Sequence, residues 1–353
     1  MYAKKRATLK DIAEKLNITI ATVSRALSNH PDISQRIKDQ VHLIAEALHY
    51  RPNSFALHLR KQRSGMVGVI LPKIDHYHSS TIISGVLKAA NDLKYQVMIC
   101  ESGKTVEEEK NNAWTLLNAG VDGLLVSISN NTFSENHFSE MQNEGIPIVF
   151  FDKIPSSFIA SKVSTNDYTG AFIATQHLIE QGYKNIAHLK GQKGAKNSVP
   201  RYEGYLNAII KSGQKVNPAF VVECLYCTEE EGYELTINMM QQKKKPDAIF
   251  CVNDETAMGA LAALRKLNIK VPEQVGVVGF CNTKAGAFIY PTLTTVNQFS
   301  AEIGKKATEL LIDMIENKAD ITGSHYKHTI IEPQLIIRSS SVKTPLSILA
   351  LKD

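Results

Sequence analysis

The sequence predicts an all-α helix-turn-helix domain at the N-terminus and an α/β core of two doubly wound parallel-sheet lobes behind it. Three observations predict this. Between Thr8 and Leu27, apolar residues recur at helical spacing on two short segments separated by a polar turn. Residues 1–63 hold twelve Lys or Arg against five Asp or Glu, a net of +7, which leaves −2 for the rest of a chain whose total is +5. From Met66 onward, continuous apolar runs alternate with amphipathic segments, the pattern of parallel strands covered by helices on both faces.

The elements follow in order. Thr8 is a good N-cap, and Asp11 three residues on makes an acidic form of the capping box. Leu9, Ile12, Ala13 and Leu16 then form one stripe. Asn17, which tolerates a left-handed backbone, ends that helix. Thr19 caps a second helix in which Val23, Ala26 and Leu27 face inward and Ile20, Ala21, Thr22, Ser24 and Arg25 face out. A third helix, Gln35–Leu48, brings Ile37, Val41, Ile44 and Leu48 to the core. Spacing alone describes an ordinary three-helix bundle equally well. The segregated positive charge shifts the reading to phosphate binding, with the second helix in a DNA major groove. Arg25 suits a guanine edge, Ala21 or Ile20 a thymine methyl, and Thr8 and Thr22 the phosphates. Pro52 ends the third helix at Tyr50-Arg51. The basic amphipathic FALHLRKQR that follows is too short to be stable alone, so it is either a helix ordered on binding or a solvated linker.

In the core, one series runs VGVILP, a helix near Thr81–Leu93, QVMIC, a helix near Val106–Asn118, DGLLVS, a helix near Glu135–Asn143, and IPIVFF. A second runs NIAHLKG, helix Tyr202–Lys211, VVECLY, helix Glu229–Gln241, DAIFCV, helix Glu255–Leu267, and VGVVGF. Helix Ala301–Glu316 and a strand over Thr329–Ile337 are expected to cross back between the lobes. Ligands of doubly wound sheets bind beyond the carboxyl ends of the strands. That rule selects Asp75, His76, Tyr77, His78 and Ser79, then Asp152, Arg201, Asn253, Asp254, Cys281 and Asn282.

Composition excludes several classes. No apolar run reaches the roughly 18 residues of a membrane span, and MYAKKRATLK lacks an apolar signal region, so a cytoplasmic protein is expected. Five scattered cysteines make no disulfide framework, and Cys224 and Cys227 without a second pair make an improbable zinc site. There is no Gly-rich phosphate loop, H-E-x-x-H or nucleophile elbow, so neither an enzyme nor a bound cofactor is expected.

TLKDIAEKLNITIATVSRAL followed by YRPNSFALHL closely resembles the lactose/galactose repressor family of bacterial transcription regulators. The resemblance continues through VGVILP, VSTNDYTGAFIATQHLIEQGYKNIAHLKG, RYEGY, VNDETAMGAL, VGVVGF and PTLTTV, in order, from Thr8 to about Ser340. It implies a homodimer that binds a pseudo-palindromic operator and holds a small effector between periplasmic-binding-protein-like lobes. The implied domains are a helix-turn-helix domain (1–52), a hinge helix (53–64), the two-lobed core (65–341) and a tail (342–353). The first lobe would comprise about 65–164 and 295–325, the second about 165–294 and 326–341. Asn53, Ala56 and Leu59 would lie in the hinge helix, with Leu59 at the position of the leucine that wedges between base pairs. Twelve tail residues are too few for a tetramerising coiled coil.

Thr8, Thr19, Ile20, Ala21, Thr22, Ser24, Arg25, Asn53, Ala56 and Leu59 are therefore the expected DNA-binding residues. Asp75, His78, Ser79, Asp152, Arg201, Cys227, Asn253 and Cys281 are the expected effector-binding ones. Arg201 and Asn253 match the family's effector-holding arginine and asparagine, although either could instead cap a helix or pair a buried carboxylate. For Asp254, helix capping is the expectation.

The chain departs from the pattern at His76-Tyr77-His78-Ser79, usually less polar, and at Cys281, usually an aspartate. It departs again at Cys227, where relatives place an aromatic ring, and at Asn17, usually glycine. A thiol accepts poorly, so Asp152, Asp75 or Asn282 would have to take over as acceptor. A carbohydrate is expected, an anionic one slightly favoured if His76 and His78 are protonated. A nucleobase-like corepressor and an activator of the same architecture are the alternatives. The sign of the response is open, because it depends on which state the ligand binds better.

Overall fold

In the computed structural model, the described residues are 7–50, 63–103, 105–130, 132, 135–317 and 326–343. Asn53, Ala56 and Leu59 of the expected hinge helix, and the tail beyond Lys343, lie outside them. The chain divides into two units, Met1–Ser64 and Gly65–Asp353.

Capping chemistry sets the first unit. The Thr8 hydroxyl accepts from the Asp11 N–H, and the Asp11 carboxylate accepts from the Thr8 N–H at 2.7 Å, so α1 (Leu9–Leu16) starts with a closed box. Asn17 ends it in the left-handed region at φ 51°. Thr19 caps α2 (Ile20–Leu27) by accepting from the Thr22 N–H, and α3 (Gln35–Ala47) stops at Leu48. Ile12, Ala13, Val23, Ala26, Val41 and Ala45 are buried between the three helices. The small Ala13 and Ala26 let the helices approach closely.

In the second unit, β1 (Met66–Leu71), β2 (Gln96–Glu101), β3 (Leu124–Val126), β4 (Ile148–Phe151), β5 (Ser161–Thr165) and β11 (His328–Ile331) form an all-parallel sheet in the order β11-β5-β4-β3-β1-β2. Strands such as IVFF are buried at every position because helices cover both faces. These helices are α4 (Tyr77–Asp92), α5 (Val106–Asn118), α6 (Asn136–Asn143) and the returning α11 (Ser300–Glu316). The second sheet runs β12-β10-β9-β8-β6-β7, from β6 (Ile186–Lys190), β7 (Val221–Glu223), β8 (Ala248–Cys251), β9 (Gly276–Phe280), β10 (Thr294–Asn297) and β12 (Gln334–Ile336). Its helices are α7 (Asp167–Glu180), α8 (Ser198–Lys211), α9 (Glu229–Met240) and α10 (Asp254–Lys266). Each sheet repeats the doubly wound order, and the second adds β12 antiparallel to β10.

The strands correct two expectations. The segment expected as one strand over Thr329–Ile337 is two, broken at Glu332-Pro333, and its halves belong to different sheets. Pairing of β11 with β5 extends the first lobe to Ile331, past the expected 325, while β10 keeps residues 294–297 in the second. The chain therefore passes between lobes three times: after Thr165, between Asn297 and Ser300, and between Ile331 and Gln334.

Candidate functional site

Each unit carries one candidate surface. In the first, Ile20, Ala21 and Arg25 are exposed on α2, while Thr22 and Ser24 are partly buried. Thr8 and Thr19 spend their hydroxyls on the helix caps, and Thr19 and Thr22 share a hydrogen bond of 2.8 Å. Apolar, hydroxyl and guanidinium groups thus share the outward face of one short helix.

In the second unit, a cavity of about 710 Å³ opens between the lobes at the carboxyl ends of both sheets. Of the residues expected there, His78, Ser79, Asp152, Arg201, Cys227, Asn253 and Cys281 line it, together with His76. Asp75 does not. Its carboxylate is exposed and pairs with Lys73 at 3.0 Å, on the loop before α4.

Asp152 follows β4 with a left-handed φ of 57°. His78 Nε2 lies 2.9 Å from its Oδ1 and His78 Nδ1 2.8 Å from the Ser300 hydroxyl. A carboxylate only accepts, so Nε2 carries the proton toward Asp152. Burial alone would raise the Asp152 carboxyl, but His78, Lys153 and Arg201 outweigh it and hold the group below its usual range. Both ring nitrogens of His78 are engaged within the protein, and burial lowers the pKa of His76. His76 is therefore a poor source of the cation on which an anionic ligand was expected.

Arg201, on the first turns of α8, is 3% exposed. Its Nε donates to Asp167 at 2.8 Å, its Nη1 donates to the Val252 carbonyl at 2.7 Å, and its plane lies 3.9 Å over the Phe280 ring. Burial opposes the charge, but Asp167 restores it, so the guanidinium stays charged. Pairing and cavity lining therefore coexist in this one residue. Asn253 is different. Its Oδ1 accepts from the Thr256 N–H and its Nδ2 donates to the Cys227 carbonyl, both at 2.9 Å, so its amide is a helix cap and a loop tie. Asp254, expected to cap, instead accepts from the Thr283 N–H and the Thr295 hydroxyl at 2.6 Å each, locking α10 to the loop after β9 and to β10. Asn282 accepts from Arg338 and lies outside the lining.

Burial drives the Cys281 thiol well above its ordinary range, and with Glu231 it pushes Cys227 up to about 11. Both stay protonated. Among the lining residues that escaped the sequence reading, three carry clear chemistry. Lys153 needed only the strand-end rule that found Asp152, one residue further on. Burial lowers its ammonium against the pull of Asp152. Glu255, in the first turn of α10, lines the cavity from the second lobe and accepts from the Tyr77 N–H of the first at 3.4 Å. Tyr226 brings an aromatic ring one residue before Cys227. Among the described residues, no His/Cys/Asp/Glu cluster could hold a metal, and no helix is long and apolar enough to cross a membrane.

Residues 8–53 match the bacterial regulatory proteins of the lacI family, and residues 175–341 match a periplasmic binding protein-like domain. The HTH-type transcriptional repressor PurR of Histophilus somni (strain 129Pt) is 31% identical over 341 residues, covering 96% of this chain and 99% of the relative. The chain belongs to the lacI family of bacterial regulatory proteins. A solved lac repressor dimer, bound to operator and the anti-inducer ONPF, shares the fold with a TM-score of 0.86 at 22% identity, covering 96% of this chain and all of that one. The transcriptional regulator CelR in complex with cellobiose matches with a TM-score of 0.70 at 25% identity, over 95% of this chain and 100% of that one.

Proposed function

We propose that the protein is a homodimeric, sequence-specific transcriptional repressor whose hold on a pseudo-palindromic operator is controlled by a carbohydrate bound between the lobes. One observation carries this reading. Hydrogen-bonding groups of both lobes, Asp152 and Lys153 from one and Arg201 and Glu255 from the other, converge on one cavity of ligand size. Such a ligand links the lobes, and whichever arrangement it binds better gains population. Glu255 takes the acceptor role that Cys281 cannot. Cellobiose in the solved CelR complex supports a saccharide.

The test begins with selection of bound sequences from a random DNA pool by the full-length protein, which should return a two-fold symmetric site. Fluorescence anisotropy on that site is then repeated with mono- and disaccharides. Arg201→Ala should keep DNA affinity without ligand and lose the ligand response. A response to nucleobases and to no sugar would overturn the carbohydrate assignment. On the DNA side, Arg25→Ala should cost roughly 1–3 kcal/mol and relax the preference at one position per half-site. Uniform weakening on every sequence would instead make Arg25 a phosphate contact.

A further inference from the structure

Away from the cleft, the second lobe carries a groove of about 420 Å³ at its outer edge. Three neighbouring stretches build it: the short 3-10 helix Pro218–Phe220, the edge strand β7, and the C-terminal half of α9 with the loop that follows. Its floor is apolar. Phe220 and Met239 are 4% and 5% exposed and belong to the core of the lobe, while Val222 and Leu235 pack against that core and stay partly open. Such surface is unfavourable in water, and a concave apolar patch with a polar rim is the form a ligand groove takes. The volume lies within the range of small-molecule pockets, roughly 300–1,000 Å³.

The rim is basic. Lys243 and Lys244 line it from the loop after α9, both exposed, and no Asp or Glu is among the described residues that line it. The carboxylates on the framing elements are engaged elsewhere. Glu223, at the end of β7, pairs with Lys190 at 3.2 Å and accepts from the Lys193 N–H at 2.9 Å. On α9, Glu229 sits in the first turn, and Glu230, Glu231 and Glu234 line the interlobe cavity at that same end. Asp247, beyond the loop, accepts from the N–H groups of Lys184 and Asn185. Two ammonium groups therefore stand beside an apolar floor with no carboxylate of the groove to neutralise them.

We propose that this groove is a second ligand site, one that takes a small amphipathic acid. The apolar chain or ring lies on Phe220, Val222, Leu235 and Met239, and the anionic head lies at Lys243 and Lys244. The proposal is independent of which ligand the cleft holds.

Octanoate and phenylacetate are the probes, used below any micellar concentration, with 1-octanol, acetate and inorganic phosphate as contrasts. Calorimetry on the full-length protein should show saturable binding of one probe acid per chain. Octanol should bind more weakly because it lacks the charge, and acetate and phosphate should not bind because they lack the apolar body. Added salt should weaken the acid and leave octanol unchanged. In protein labelled at the methionine methyl groups, the Met239 resonance, assigned by its loss in Met239→Leu, should shift in step with the calorimetric titration. The double variant Lys243→Glu, Lys244→Glu should weaken the acid about tenfold, two exposed charge pairs having been reversed, and leave octanol unchanged. Both side chains are exposed, so the variant should fold. Octanol that binds as tightly as the acid would reduce the groove to an apolar patch and overturn the proposal. Binding that the double variant retains, or that leaves the Met239 resonance in place, would put the acid elsewhere and overturn it as well. A changed mass of the double variant in light scattering would make the groove an interface between copies, and binding of neither acid would show no such site; either result overturns the proposal.

Discussion

At the scale of single residues, burial decides what each titratable group can do. His188 lies inside the second lobe with its ring stacked on Phe250 at 4.7 Å and on Tyr205 at 5.0 Å, and its Nδ1 donates to the Phe250 carbonyl at 3.0 Å. Burial pushes its pKa down to about 3, so the folded protein keeps the ring neutral. The unfolded chain takes up a proton below pH ~6.5. The stability contribution is therefore complete above that pH and is lost as pH falls toward 3, at about 1.4 kcal/mol per unit. Urea unfolding between pH 7 and pH 4 should show a shallower loss in His188→Phe than in wild type, by about one proton. His76, His177 and His328 are also lowered by burial and contribute, with the buried carboxyl groups, to the slope that remains. The same burial explains what could be read of the site beforehand. Asp152 and Arg201 were legible because strand ends and motif spacing locate them. The partners of His78 and Asn253 were not, because Ser300 and Cys227 reach them from elements remote in the chain.

At the scale of elements, helix contacts depend on positions that lack a side chain. Where α4 crosses α11, a Cβ on Gly85 would sit 2.0 Å from the Ala301 carbonyl oxygen, and one on Gly304 would sit 2.1 Å from that of Ile82. The two helices meet backbone to backbone, and neither partner is a side chain that can swing aside. Gly85→Ala should destabilise the protein by about 1–3 kcal/mol through forced separation, while Lys88→Ala on the exposed face should stay within about 0.5 kcal/mol. Equilibrium unfolding in urea distinguishes them. Most helices were legible from period and caps, as in Val106–Asn118. Strand β5 and helix α7 were absent from the two expected series for a physical reason. Asp167, Thr175 and His177 are buried beside Gly170, Ala171, Ala174 and Leu178, so polar residues interrupt the apolar stripe that would announce a helix.

At the scale of the whole core, the three passages between lobes make each lobe discontinuous in sequence. Local periodicity could not reveal this, because it carries no information on which strand pairs with which. The short β11 joins β5 only through tertiary packing, with Ser164 and His328 bonded at 2.9 Å across the junction. The ordering of the strands also has a consequence for biosynthesis. A chain leaving the ribosome delivers β1 to β5 early, but the first sheet keeps a bare edge along β5 until β11 emerges. The second lobe's five parallel strands are translated in that interval, beside an unfinished neighbour. Rather than following the usual N-terminal-first course of nascent domains, both lobes wait for strands near the end of the chain, the first for β11 and the second for β12.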